Sequence, residues 1–189
     1  MKTEIGILGD GRFAREVELY AVRLGYRVVH FFDGTRKDCH IISGLPYCMG
    51  VGNPFVKKKI LEQSGCRHFI SIFDPKSIYS PSVKVGRGCV ICPGVTLTLN
   101  VVLEDFVTLD INCTVGHDCS IGKYSTISPG ACVSGSVWIG ECCYVGTNAA
   151  IREKLFIFDE VTLGLNCGVV KSICEAGIYI GTPARLLKK

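Results

Sequence analysis

The chain has 189 residues, with 48% hydrophobic residues, 20% charged residues and a net charge of +4. That is enough to bury a core without covalent staples, and it excludes a disordered chain. The charge is too small to point to nucleic acid by itself. The longest apolar stretches, such as Ile5–Leu8 and Val28–Phe32, are far too short to cross a bilayer.

The opening MKTEIGILGDG carries Glu4 and runs at once into a strand-and-glycine pattern. It is therefore not read as a signal peptide, and a cytoplasmic protein is expected. Thr3–Leu8 reads as a short buried strand, followed by Gly9-Asp10-Gly11-Arg12-Phe13-Ala14 and a helical segment to Leu24 that Gly25 ends. Arg27–Phe32 reads as the next strand, with Asp33 at its end. Past a loop from Gly34 to Pro46 come a strand at Tyr47–Val51 and a helix at Pro54–Ser64, with Asn53 as its N-cap. Lys57, Lys58 and Lys59 read as the solvated face of that helix. Arg67–Ile72 reads as a last strand. Strands alternating with helices imply a small parallel sheet.

The Gly-x-Gly-x-x-Ala turn between strand and helix, with Asp33 about twenty residues on, matches a nucleotide-binding fingerprint. Its glycines let backbone N–H groups approach a diphosphate at the helix N-terminus. The plainer reading is a tight βα turn. Residues 1–77 are long enough for one mononucleotide-binding half only, so a single nucleotide diphosphate fits better than a hydride-transfer cofactor.

From Val85 to Val169 every sixth residue is Ile, Leu or Val. A second column four places later, from Cys89 to Ile173, is mostly small or β-branched. A strict period of six does not fit an α-helix, and three sides of six residues close a triangular coil of eighteen. A hexapeptide parallel β-helix follows from this spacing, although the spacing does not set its hand. Gly often follows the first-column residue, as at Gly86, Gly116, Gly122, Gly140, Gly146 and Gly164. There it is expected to serve a tight turn with unusual backbone angles. The twelve cysteines fall mostly where small apolar residues also fit. Residues eighteen apart stack, and no second-column Cys stacks on another, so a disulfide ladder is not expected. Cys89 and Cys92 form a lone C-x-x-C without a second pair, and no metal site is expected.

Of the four histidines only His117 lies in the repeat, two places after a core position, so it falls on a corner and points outward. Asp118 adjoins it. A carboxylate beside an imidazole selects one tautomer and stabilises the imidazolium formed on proton uptake, which suits a general base. The alternative is an exposed His on a polar corner. Gly135 stands one coil above; its missing side chain is expected to leave room for a substrate, and its N–H to face a developing oxyanion.

These residues together resemble the sialic-acid, bacillosamine and perosamine type of bacterial sugar acyltransferases. The resemblance rests on the Gly9–Ala14 loop, Phe32-Asp33, Gly50-Val51-Gly52-Asn53, Tyr79-Ser80-Pro81-Ser82, His117-Asp118, Ser128-Pro129-Gly130-Ala131 and the tail Gly181-Thr182-Pro183-Ala184-Arg185. It implies a Rossmann-like α/β domain over residues 1–77 and a left-handed parallel β-helix over 78–189. It also implies an acetyl-CoA-dependent transferase acting on the amine of a nucleotide-linked amino sugar, or in some relatives on a hydroxyl, and assembling as a homotrimer. By this resemblance His117 is the general base and Asp118 its orienting carboxylate. Gly135, Thr147 and Leu165 face the cofactor, while Gly9, Gly11, Arg12, Phe13 and Asp33 hold the nucleotide sugar. Thr126 stands where many relatives have a second His, Arg12-Phe13-Ala14 where they often have Gly-His-Gly, and Asp110 where some have Asn.

No Cys is placed beside a His by the coil arithmetic, so direct transfer is expected rather than an acyl-cysteine route. Two rivals share the β-helix. A zinc carbonic anhydrase needs several His ligands, and the repeat offers one. A non-catalytic nucleotide-sugar-binding module needs no His-Asp pair. Neither nucleic acid nor membrane is an expected partner.

Overall fold

The computed structural model describes residues 2–34 and 40–188. The chain opens with β1 (Glu4–Leu8), α1 (Arg12–Arg23), β2 (Arg27–Phe32), β3 (Tyr47–Met49) and α2 (Pro54–Ser64). The three strands form one parallel sheet in the order β2-β1-β3. Asn53 caps α2 by accepting from the Phe55 and Val56 N–H groups, each at 3.1 Å, with Pro54 in the first turn. Gly65 closes the helix in the left-handed conformation that favours glycine.

The strand expected at Arg67–Ile72 is divided between two structures. Phe69 makes only an isolated parallel bridge to Tyr47. Ile72–Phe73 instead pairs with Val90–Ile91 and forms the first rung of a solenoid. Ile78–Tyr79 pairs with Thr96–Leu97 in the same way. The six-residue repeat therefore starts two hexads before Val85, with the aromatics Phe73 and Tyr79 where later coils carry aliphatics.

The solenoid is a parallel prism with three sheets. Face one has eight strands, running from Ile72–Phe73 to the C-terminal hairpin of Gly177–Ile180 and Arg185–Leu186. Face two has six strands, from Ile78–Tyr79 to Gly168–Val169, and face three has five, from Lys84–Val85 to Phe156–Ile157. Rungs pair eighteen residues apart, as at Leu109↔Ile127 and Val115↔Val133. The last coil is shorter: Ile157 bridges Ile173 and Leu163 pairs with Tyr179. Both repeating columns point inward, and their aliphatic members are buried from Ile91 onward. Each such side chain contributes roughly 1.5–3 kcal/mol by leaving water.

The cysteines of the second column occupy slots that also accept serine. Cys89, Cys119 and Cys143 donate their thiols to the carbonyls of Glu104, Ser134 and Phe158, each at 3.0 Å. Ser125 makes the equivalent bond to Gly140 at 2.8 Å. At these positions a small side chain with one proton to donate fills the slot that valine or alanine fills elsewhere in the column. All described cysteines are free thiols.

The glycines after the first column play a different part from the one expected. None of Gly86, Gly116, Gly122, Gly140, Gly146 and Gly164 has a positive φ. They are needed for space: a methyl on Gly122 would stand 2.5 Å from the Gly140 carbonyl carbon, and one on Gly116 2.7 Å from the Gly135 nitrogen. The left-handed residue of each corner lies two places further on and is mostly not glycine. Asn100, Phe106, Asn112, Asp118 and Tyr124 have φ between 55° and 64°. At these glycines the backbone of the next coil leaves no room for a side chain, whereas the corner demands a positive φ two places on.

The N-terminal unit covers face one. Its outward residues Val90, Thr108 and Thr126 are buried beneath α1 and α2. The outward residues of face two from the second rung on, Thr96, Thr114, Cys132, Ala150 and Gly168, are small. No helix among the described residues is long and apolar enough to cross a membrane.

Candidate active site

His117 sits in the turn between Thr114–Val115 on face two and Ser120–Ile121 on face three. Its side chain is 62% exposed, on the prism edge opposite face one. Its Nδ1 lies 2.8 Å from Asp118 Oδ2. The other carboxylate oxygen, Oδ1, accepts from the Asn100 amide at 3.0 Å. Those two hydrogen bonds, Asn100's first, hold the Asp118 carboxyl below its ordinary range. With Asp118 accepting at Nδ1–H, the free lone pair of a neutral ring is on Nε2. Asn100 was not singled out from the sequence, yet it stands eighteen residues below Asp118, so the coil period points to it.

The space left by Gly135 is used by the imidazole itself. A methyl there would stand 2.5 Å from His117 Nε2 and 2.7 Å from Cε1. Glycine lets the ring lie flat against the next coil, so the opening expected above the ring is filled by the ring. Cys119, two residues on, turns its thiol inward, and burial raises its pKa. A thiolate nucleophile is thereby disfavoured beside the imidazole.

Thr147 and Leu165 lie on another edge, between faces one and two, and Leu165 is 73% exposed. Gly135 is on the His117 edge, with face two between the two sets. A shallow groove of about 300 Å³ crosses the upper part of that face, lined by Ser134, Ala150, Ile151, Arg152, Gly168, Val169, Val170 and Thr182. The C-terminal tail closes its end, with the Ala184 N–H donating to the Gly168 carbonyl at 2.8 Å.

The remaining expected residues come together in the N-terminal unit. Gly9, Gly11, Arg12, Phe13 and Asp33 all line a cavity of about 560 Å³, joined by Asp10, Gly50, Val51, Gly52, Asn53, Val56 and Ile60. The cavity opens at the start of α1, where the helix's unpaired N–H groups favour an anion. Gly9 has φ 113°, and a methyl there would stand 2.8 Å from Val51 Cγ2 and 2.9 Å from the Gly50 carbonyl. Only glycine lets the two loops meet. A methyl on Gly11 would meet nothing, which leaves the backbone open to a ligand.

Lys57 departs from the expected solvated face. Lys58 and Lys59 are exposed, but Lys57 is fully buried in the seam between α2 and face one. Its Nζ donates to the carbonyls of Phe106, Tyr124 and Ser125 at 3.1, 3.1 and 3.2 Å and to Thr126 Oγ1 at 2.7 Å. Burial without a carboxylate partner lowers its pKa from 10.5 to about 7. Among the described residues no three His, Cys, Asp or Glu side chains converge as a metal site.

Residues 100–135 match the family described as bacterial transferase hexapeptide (six repeats). The chain is 36% identical over 125 residues to GDP-perosamine N-acetyltransferase of Escherichia coli O157:H7, covering 64% of this chain and 57% of that protein. The chain is thus similar to hexapeptide-repeat sugar acyltransferases. It spans little more than half the length of that curated relative. The likeness in fold extends through nearly the whole chain. The acetyltransferase domain of PglB from Neisseria gonorrhoeae, solved with acetyl coenzyme A, superposes with a TM-score of 0.88 at 26% identity, covering 99% of this chain and 100% of that one. WeeI from Acinetobacter baumannii superposes with a TM-score of 0.83 at 27% identity, covering 98% and 100%.

Proposed function

We propose that the protein transfers an acetyl group from acetyl-CoA to the amine of a nucleotide-linked amino sugar. The observation that carries this reading is the Asn100–Asp118–His117 chain of hydrogen bonds on an exposed prism edge. It orients the ring with Nδ1 toward Asp118 and leaves Nε2 to act as proton acceptor. The kinship with GDP-perosamine N-acetyltransferase supports the substrate class. The N-terminal unit, residues 1–77, is read as a small Rossmann-like domain that holds the nucleotide in the cavity at Gly9, Gly11, Arg12, Phe13 and Asp33. Residues 78–189 are read as a left-handed β-helix. Gly135, Thr147 and Leu165 flank the path of the pantetheine arm, with the small side chains of face two between them.

In the proposed reaction the acceptor nitrogen attacks the thioester carbonyl carbon as His117 Nε2 takes a proton from that nitrogen. The Gly135 N–H, which donates to no other described group, stabilises the oxyanion. As the C–S bond breaks, the imidazolium returns the proton to the departing thiolate. No protein thiol takes part.

In a single chain the cavity lies over face one, while His117 lies on the opposite edge. This separation supports a site completed by a neighbouring copy, and hence the homotrimer. Thiol release from acetyl-CoA in the presence of amino-sugar nucleotides tests the reading. His117→Ala is expected to lower kcat by about 10²–10⁴ with acetyl-CoA affinity unchanged. An undiminished rate would falsify the assignment. Acylation of a hydroxyl sugar alone would identify an O-acetyltransferase, and nucleotide-sugar binding without thiol release a binding module.

A further inference from the structure

We propose that Lys57 is the positioning residue of the nucleotide cavity, holding the wall formed by α2 and Gly50–Asn53 in register with the solenoid. The proposal rests on the reading above only for what fills the cavity. Pro54, Lys57 and Ile60 are the buried residues of α2 and lie along one narrow line of the helix, on which Lys57 reaches the prism. Apolar contact along such a line is non-directional and permits sliding.

The Lys57 contacts do not permit sliding. Three carbonyls and one hydroxyl surround Nζ, and the hydroxyl must accept there because the Thr126 proton goes to the Gly52 carbonyl at 2.6 Å. Every contact is an acceptor facing the N–H groups of Nζ, and the Ser125 carbonyl is also served by the Thr108 N–H at 3.0 Å. A continuous chain of hydrogen bonds thus runs from the solenoid carbonyls through Lys57 and Thr126 to Gly52, which lines the cavity. Val56 and Ile60, on either side of Lys57 on α2, line it too. Apart from Lys57, no described group donates to the Phe106 or Tyr124 carbonyl. Displacing α2 would leave both buried acceptors unpaired, and this fixes its seat.

Hydrogen exchange on the full chain without ligand tests the proposal. Lys57→Met is expected to speed exchange at residues 50–60 by about tenfold or more and to leave the solenoid amides around Ile121 and Ile139 unchanged. Lys57→Arg is expected to restore part of the protection. Thr126→Val removes the bonds to Gly52 and to Lys57 but leaves the three carbonyls on Nζ, and is expected to loosen residues 50–53 most; it decides the matter if Lys57→Met does not fold. Unchanged exchange at residues 50–60 in the folded variants, or equal loosening throughout the solenoid, overturns the proposal. GDP and UDP serve as binding probes for the cavity. Their Kd is expected to rise about tenfold in Lys57→Met, matching the exchange effect, while acetyl-CoA affinity holds. If the wild-type protein binds neither probe, the nucleotide reading fails, and the exchange result still judges Lys57.

Discussion

In the solenoid, each inward side chain stacks on one eighteen residues away, and six-residue spacing carries most of the information. In the N-terminal unit, three strands and two helices are seated by a few particular contacts, among them one buried lysine, one threonine and the close approach of Gly9 to Gly50. Repetition makes the first region tolerant of which aliphatic or small residue fills a slot. The second region is sensitive to single atoms. The proposed chemistry divides along the same line: the prism presents the base and the N-terminal unit presents the cavity.

Several substitutions test this contrast. The largest expected effect is in the prism core, where Ile121→Ala should cost about 2–5 kcal/mol of stability by chemical denaturation. A loss below 1 kcal/mol would show that the column is not close-packed. Next is the distinction between space and backbone angle. Gly122→Ala should cost about 1–3 kcal/mol because its methyl meets the Gly140 backbone. Lys154→Gly, at a corner with φ 58°, should instead raise stability by up to about 1 kcal/mol. Equal losses at both sites would contradict the assignment of the two positions. Asn100→Gly keeps the left-handed corner but removes the amide from Asp118. It should lower kcat about tenfold with little change in melting temperature, since the lost bond orients Asp118 and through it the ring, on an exposed edge.

A separate test concerns pH. Folding lowers the Lys57 pKa to about 7, so between there and 10.5 the unfolded chain binds a proton that the folded chain does not. Stability from this group therefore rises as pH increases through that window and is lost as pH falls through 7. The thiols of Cys89 and Cys142 face Lys57 and oppose the shift. Subtracting the Lys57→Met curve from the wild-type curve should isolate this slope, and a flat difference would mean that the amine keeps its ordinary affinity.

What was legible in the sequence follows from how local its cause is. The six-residue period, the Asn53-Pro54 helix start and the outward corner at His117 each depend on neighbours or on a fixed repeat. The first two hexads are hidden in the sequence because Phe73 and Tyr79 replace aliphatics. Lys57 reads as exposed because its partners, Phe106 to Thr126, lie far along the chain and mostly offer backbone oxygens, which leave no mark in sequence. The conformational role given to Gly116 and its equivalents failed for a related reason: the obstacle is the backbone one coil above.

The most direct test of the central claim, that base and cavity act from different copies, is to mix two inactive variants. His117→Ala lacks the base, and Gly9→Val distorts the cavity loop through the clash with Val51 and Gly50. Co-assembled, the two should recover part of the wild-type rate of thiol release from acetyl-CoA, because some sites then pair an intact His117 with an intact cavity. Mixed assemblies that stay as inactive as either parent would contradict it.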